Sequence, residues 1–300
     1  MKTKSIASLI GYSIAISTLG FFTRMIEGID LMPLVFFRTL LASLFILGFL
    51  VITNRMADLI PRRPELLMFS ALCQGGMMVT FIGAVLNTTI TNTVFINHTA
   101  PIFAIIFSRI FLKEQIRTAT ILSIIISFVG MLLIIDFSDF SLQSSTALGD
   151  MMALASGVFF AGSMISAKAL TRSIPSTGIA FWQMAITAGV IFPFIDIPSV
   201  EILIPVAFPL IGMGCFATGL SYIMFMVGVE NLDAQVVLIV PTIGLIFPAV
   251  GAWIIYSEAL TAVGILGCIL ILVGVLTSQM NLVGESSPSH PQTTSIPQQL

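Results

Sequence analysis

Apolar residues run through this chain in long blocks, each about as long as a bilayer is thick, and polar residues collect between them. A helix rises about 1.5 Å per residue, so a hydrocarbon core of about 30 Å takes roughly 20 apolar residues. Ten blocks come near that length: 5–22, 33–53, 65–86, 90–112, 118–135, 148–170, 178–195, 202–227, 234–256 and 261–280. Turn and charge signals part them, such as IPRRPE at 60–65 and SDFSLQSS at 138–145. The short alternating segments of a β-barrel are absent from the pattern. Lys2 and Lys4 precede the first block as in a signal peptide, but FFTRM follows it with no small-residue cleavage site, so it reads as a span. After Gly284 comes ESSPSHPQTTSIPQQL, the polar, proline-rich composition of a disordered tail. The predicted class is an all-α integral membrane protein with ten transmembrane helices.

The blocks repeat. Adding 144 to a residue number carries Glu114 onto Glu258, Leu122 onto Leu266 and Gly130 onto Gly274 without a gap. The same offset carries Arg24 onto Lys168, Phe37 onto Phe181, Gly75 onto Gly219 and Asn87 onto Asn231. Each copy holds five blocks, and an odd number forces the second copy into the membrane upside down. The expected architecture is a 5+5 inverted-topology repeat, a plan used by many secondary transporters. The domains read as 1–136 for the first repeat, 137–147 for an outer linker, 148–282 for the second repeat and 283–300 for the tail.

Composition and charge sharpen this. The chain is 57% hydrophobic and 9% charged, with a mean hydropathy of +1.09, where a soluble domain carries about 25% charge. With the N-terminus in the cytoplasm, Lys2, Lys4, Arg55, Arg62, Arg63, Arg109, Lys113, Arg117, Lys168 and Arg172 all fall on the cytoplasmic side. Arg24 alone falls outside, and the outer loops are acidic, with Asp136, Asp139, Asp150, Asp196 and Glu201. The positive-inside rule then predicts a multi-pass protein of the cytoplasmic membrane with both termini in the cytoplasm. A net charge of −2 and the lack of a basic patch give no reason to expect a nucleic-acid partner. Cys73, Cys215 and Cys268 all lie inside apolar blocks and read as packing residues. The sequence has no GxxxxGK[ST] phosphate loop, no HExxH, no paired CxxC and no nucleophile elbow, so neither ATP drive, a metal, another cofactor nor an enzyme is expected. The partners called for are a small-molecule substrate and the lipid bilayer; a homodimer is compatible with the pattern.

Three stretches carry a resemblance: FFRTLLA at 36–42, APIFAIIFSRIFLKEQ at 100–115 and YSEALTAVGILGCILILVGVL at 256–276. With the ten blocks and the offset of 144, the chain resembles the EamA family of the drug/metabolite transporter superfamily over about residues 5–280. The resemblance implies a five-plus-five inverted fold, a central substrate cavity, and transport, often export, of small metabolites such as amino acids. Two other classes compete. A membrane-embedded enzyme acting on lipid-linked substrates would need a convergent acid–base or metal cluster at one face. A polytopic sensor or assembly protein would carry a soluble output domain.

Polar groups deep in a span are costly unless they face a partner or a wet cavity. His98 lies roughly 12 Å from the outer end of its block at 1.5 Å per residue, with Asn97 beside it and Asn92 further out. These three are the first candidates for substrate contact. The offset sets Pro241, Thr242 and Val236 opposite Asn97, His98 and Asn92, so one wall of the cavity is more polar than the other. Thr242 and Gln235 are the second copy's candidates. Arg38 lies within a span, at a position where the resembled family often carries arginine. It either snorkels to Asp30 or Glu27 or anchors an anionic group. Its counterpart Trp182 either lines the opposite approach or joins the interfacial aromatic belt. Pro101, Pro241 and Pro248 interrupt helical runs and are the expected hinges. Glu114 and Glu258 end their blocks at opposite faces, where a carboxylate can accept amides of the next helix. Tyr12, Gln74 and Tyr222 are further polar groups inside spans. Ser123 with Gly130, Gly267 with Gly274, and Ala153, Gly157 and Ala161 form small-residue stripes suited to close helix packing.

Overall fold

The computed structural model describes residues 2–88, 90–116, 118–134, 147–247 and 262–283. The linker at 137–146, Pro248, Glu258 and the tail after Val283 lie outside the described residues. The first copy builds α1 (Lys2–Ser17), α2 (Leu19–Arg24), α3 (Leu31–Ile52), α4 (Pro64–Asn87), α5 (Ile90–Asn97), α6 (Ala100–Phe107) and α7 (Thr118–Ile134). The second builds α8 (Ala147–Leu170), α9 (Ser176–Ile191), α10 (Val200–Ile211), α11 (Ser221–Asn231), α12 (Ala234–Ile239) and α13 (Ala262–Val283). No strand occurs among the described residues.

Five of these helices are long and apolar enough to cross a membrane: Met32–Ile52, Pro64–Ala84, Ala147–Leu170, Ser176–Phe194 and Val200–Asn231. Ala100–Leu112, Thr118–Leu133 and Val263–Thr277 are apolar but shorter. The structure differs from unbroken blocks where the chain itself supplies a breaker. Ser17 and Thr18 turn their hydroxyls back onto Ile14 O and Ala15 O, both at 2.7 Å, and α1 gives way to α2 there. Pro101 divides the fourth block, and α6 then closes in a π-turn over Ser108–Leu112. Thr218 donates to Met213 O five residues back at 2.8 Å, inside a π segment spanning Gly212–Leu220 between α10 and α11. Pro205 and Pro209, inside α10, join the irregularities absent from the expected hinges. The connection after α3 also folds, as a 3₁₀ turn over Met56–Leu59 carrying an Arg55–Asp58 ion pair of 2.9 Å.

Packing follows the offset of 144. α4 lies on α8 as α11 lies on α1, α3 packs on α9, and α7 packs on α13. α6 meets α8 as the 3₁₀ turn Val240–Leu245 meets α1. The core between them is large: Ile46, Leu50, Met164, Ile179, Met184, Phe225 and Met226 are almost wholly buried. The outward faces stay apolar, with Ile121, Ile125, Leu266 and Ile269 about half exposed. Water would penalise such a surface and lipid would not. Arg55, Arg62, Arg63, Lys168 and Arg172 collect where α3 and α8 end and α4 and α9 begin, called the basic end below. At the opposite end α4 finishes against the start of α8, where Gly149 touches the backbone of Asn87 and Thr88.

Candidate functional site

Two helix breaks face one another across the bundle. Pro101 has no amide to offer Asn97 O, and its ring pushes that carbonyl aside. α5 therefore stops at Asn97 and α6 starts at Ala100, while the Thr99 hydroxyl turns back onto Ile96 O at 2.7 Å. The break fits against α8 because position 157 is glycine: a Cβ there would lie 3.3 Å from Asn97 O. In the second copy Pro241 opens the 3₁₀ turn, and Thr242 Oγ1 donates to Ile239 O at 2.7 Å.

Between the breaks lies a cavity of about 290 Å³. Asn97, His98 and Pro101 line it from the first copy, and Pro241 and Thr242 from the second. Tyr12 and Ser17 of α1 and Phe160 of α8 add an aromatic and hydroxyl wall. No Asp, Glu, Lys or Arg side chain lines it. Its volume is near the lower end of those that hold small ligands. A second space of about 20 Å³, room for about one water, also borders His98 and Thr242, and reaches Ser127.

The structure thus brings His98, Asn97, Thr242, Pro101 and Pro241 to one cavity. Asn97 is held in its wall by a 2.7 Å hydrogen bond from Nδ2 to Ser156 Oγ. Asn92 stands apart. It is fully buried and donates to Asp150 Oδ1 at 2.9 Å, an oxygen that also receives Thr88 Oγ1 at 2.8 Å. Arg38 neither lines the cavity nor pairs with Asp30 or Glu27; its Nε donates to Thr218 Oγ1 at 2.8 Å, on the π segment. Trp182 sits at the basic end and donates from Nε1 to Leu59 O at 2.9 Å. Gln235 belongs to α12, and its side chain lies outside the described ones.

A buried polar network escaped the sequence reading. Gln183 Nε2 donates to Ser70 Oγ at 2.7 Å and Ser163 Oγ at 3.0 Å, and Ser163 donates to Gln74 Oε1 at 2.9 Å. Tyr222 Oη lies 2.8 Å from Gln183 Oε1 and 3.1 Å from Gln74 Oε1. The Tyr222 ring stacks on Phe225, which packs on Tyr12 and Phe160, both in the cavity wall. The network therefore supports that wall from behind. Gln74 and Tyr222 were visible as polar residues in spans, but nothing in one sequence says that they meet.

The basic end holds a second, charged space of about 260 Å³, bordered by Glu114, Lys168, Thr171, Arg172 and Glu230. Glu114 Oε1 accepts the Ala234 amide at 3.5 Å, while Oε2 is buried without a protein partner. Burial pushes the Glu114 carboxyl above the ordinary carboxylate range and Asp233 adds to the rise; the Ala234 amide, Lys168 and Arg172 pull against it. Among the described residues no group of His, Cys, Asp and Glu is placed to hold a metal ion.

Known proteins agree with this architecture. The chain is 24% identical over 247 residues to the pseudopaline exporter CntI of Pseudomonas aeruginosa (strain UCBPP-PA14), covering 81% of this chain and 84% of the relative. It is 23% identical over 246 residues to the uncharacterized transporter YxxF of Bacillus subtilis (strain 168), covering 80% of this chain and 78% of the relative. A solved structure described only as the crystal structure of a protein shares the fold, with a TM-score of 0.82 and 14% identity over 96% of this chain and 100% of that one. The EamA-like transporter family matches residues 3–136 and again 147–279, so the chain belongs to that family of transporters.

Proposed function

We propose that the protein is a secondary transporter that exports small polar metabolites such as amino acids, by alternating access and without ATP. The observation that carries this reading is the cavity of about 290 Å³ between two proline-broken helices, one from each copy, with polar walls that hold no Asp, Glu, Lys or Arg. Asn97, His98 and Thr242 supply hydrogen bonds, and Tyr12 and Phe160 supply an aromatic face. A wall without carboxylate, ammonium or guanidinium groups suits a neutral or zwitterionic solute, because a net charge buried without a partner is costly. The name of the pseudopaline exporter supports the outward direction. In this reading ten spans form two inverted repeats, both termini lie in the cytoplasm, and the basic end faces it. Pro101, Pro241 and Pro248 act as hinges.

Purified protein in proteoliposomes, without nucleotide, tests the reading. Neutral and zwitterionic amino acids are expected to exchange across the membrane, and strict dependence on ATP would overturn it. His98→Gln and His98→Ala are expected to weaken solute binding by roughly two- to tenfold, the range of one neutral hydrogen bond, at an unchanged melting temperature. Unchanged affinity in both variants removes His98 from the site. Cysteines introduced at Ser141 and Pro198 are expected to label from outside, and at Met56 and Ser173 only from inside. The opposite pattern reverses the orientation.

A further inference from the structure

Ser127, on α7, carries a buried hydroxyl that no protein group bonds. The residue is 5% exposed and lies on the face of α7 that packs against α13, where a Cβ at Gly274 would run into its Oγ. One turn earlier on that face, Ser123 donates its hydroxyl to Gly274 O. Ser123 closes the seam between the two helices and Ser127 does not. A serine inside a helix ordinarily turns back onto a carbonyl three or four residues earlier. Ser13, Ser43, Ser166 and Ser221 all do so, onto Leu9 O, Leu40 O, Gly162 O and Ala217 O. An unpaired buried hydroxyl is costly and rare, and it calls for an explanation.

Ser127 faces the space of about 20 Å³ beside the main cavity. The other polar borders of that space are His98 and Thr242, and the rest are apolar, among them Ile124, Met131 and Ile239. Both the volume and the number of polar neighbours suit one buried water. An apolar occupant would leave the Ser127 hydroxyl unpaired. A cation would be stripped of its hydration with no carboxylate on the walls to compensate. Thr242 Oγ1 already donates its proton to Ile239 O at 2.7 Å, so it has lone pairs left for a water to fill. Ser127 Oγ has a proton to give to the water oxygen. The small space shares His98, Pro101 and Thr242 with the main cavity, so its occupant touches polar groups that also line the larger wall. Those groups come from opposite copies. The offset of 144 carries Ser127 onto Ile271, so the second copy offers no matching hydroxyl.

We propose that Ser127 holds one water between His98 and Thr242, and that through this water it sets the imidazole and the hydroxyl in the solute-binding wall. Ser127 is then a positioning residue, acting on the solute through its two neighbours. The positioning role rests on the reading of the main cavity as the solute site; the water site does not.

The water site is tested with no solute present. The full chain holds two imidazoles, His98 and His290, whose ring-nitrogen resonances are read by NMR of isotope-labelled protein in detergent micelles at one pH. Ser127→Ala is expected to move the His98 signal and leave His290 in place. Ser123→Ala removes the seam bond instead and is expected to leave both in place. A His98 signal at the parental position in folded Ser127→Ala overturns the proposal. An equal displacement in Ser123→Ala also overturns it, because it marks a loosened seam. Exchange of L-alanine by proteoliposomes tests the positioning role. Ser127→Ala is expected to raise the half-saturating concentration roughly two- to tenfold, the range of one neutral hydrogen bond. In a His98→Ala background the same change is expected to add less than about twofold, since the two groups then act through one link. Equal losses in both backgrounds would overturn the positioning role. A displaced His98 signal in a protein that exchanges no L-alanine upholds the water site and counts against the transport reading alone.

Discussion

Gly130→Leu is expected to leave little or no folded protein in detergent extracts, while Gly75→Ala leaves yield and melting temperature near those of the parent. α7 and α13 meet at their backbones. A Cβ at position 130 would lie 2.7 Å from Gly267 O and 2.8 Å from Ile271 N, and one at Gly274 would lie 2.9 Å from Ser123 O. Those are main-chain atoms, so relief requires the two helices to part. Parting them also breaks the hydrogen bond from Ser123 Oγ to Gly274 O. Overpacking a core commonly costs about 1–3 kcal/mol when side chains can yield; here they cannot, and a whole domain is held by only about 5–15 kcal/mol. Close backbone approach is what binds helices in lipid, where no hydrophobic gain is left to make. At Gly75 a Cβ would meet only the Thr187 side chain, at 3.5 Å, an ordinary contact. Parental yield and melting temperature for Gly130→Leu would show that α7 and α13 do not pack this way.

The close packing was readable beforehand, because Ser123, Gly130, Gly267 and Gly274 form a stripe of small residues that the offset of 144 matches in two blocks; that the two stripes meet each other was not. Block length announced an apolar, helical chain, of which five helices are long enough to cross a membrane, and Pro101 and Pro241 announced two breaks. The facing of polar side chains was not readable. Asn92 and His98 lie six residues apart in one block, and a single sequence ranks both by depth. Their fates differ through a partner distant along the chain: Asp150, at the head of α8, takes the Asn92 amide, whereas the break beside Pro101 turns His98 into the cavity wall. The repeat gave no help at Gln183, whose counterpart is Thr39, since backbone punctuation was duplicated here and polar chemistry was not. Arg38 is a like case: its partner Thr218 lies on a π segment, and no residue pattern in the chain announced the extra turn.

Gln183→Leu is expected to destabilise the protein by about 1–3 kcal/mol and to weaken solute binding at the same time. The side chain is fully buried, and leucine nearly matches its volume, so the change removes hydrogen bonds without opening a large cavity. Ser70 Oγ and Ser163 Oγ lose their shared amide donor, and Tyr222 loses the nearer of its two acceptors and keeps Gln74 Oε1 at 3.1 Å, all in buried positions. A buried polar group left unpaired costs about 1–3 kcal/mol, whereas taking away both partners of a bond is close to neutral. Tyr222→Phe in the Gln183→Leu background is therefore expected to cost less than Tyr222→Phe alone, with a coupling of about 1 kcal/mol between the two. Binding follows stability because the Tyr222 ring stacks on Phe225, 5.9 Å between centroids, and Phe225 packs on Tyr12 at 4.9 Å and Phe160 at 6.0 Å in the cavity wall. Denaturation of the two single variants and the double variant, each with a solute titration, checks both parts. Strict additivity would show that Tyr222 and Gln183 do not share a bond, and an unchanged affinity in Gln183→Leu would show that the aromatic wall stands without the network behind it.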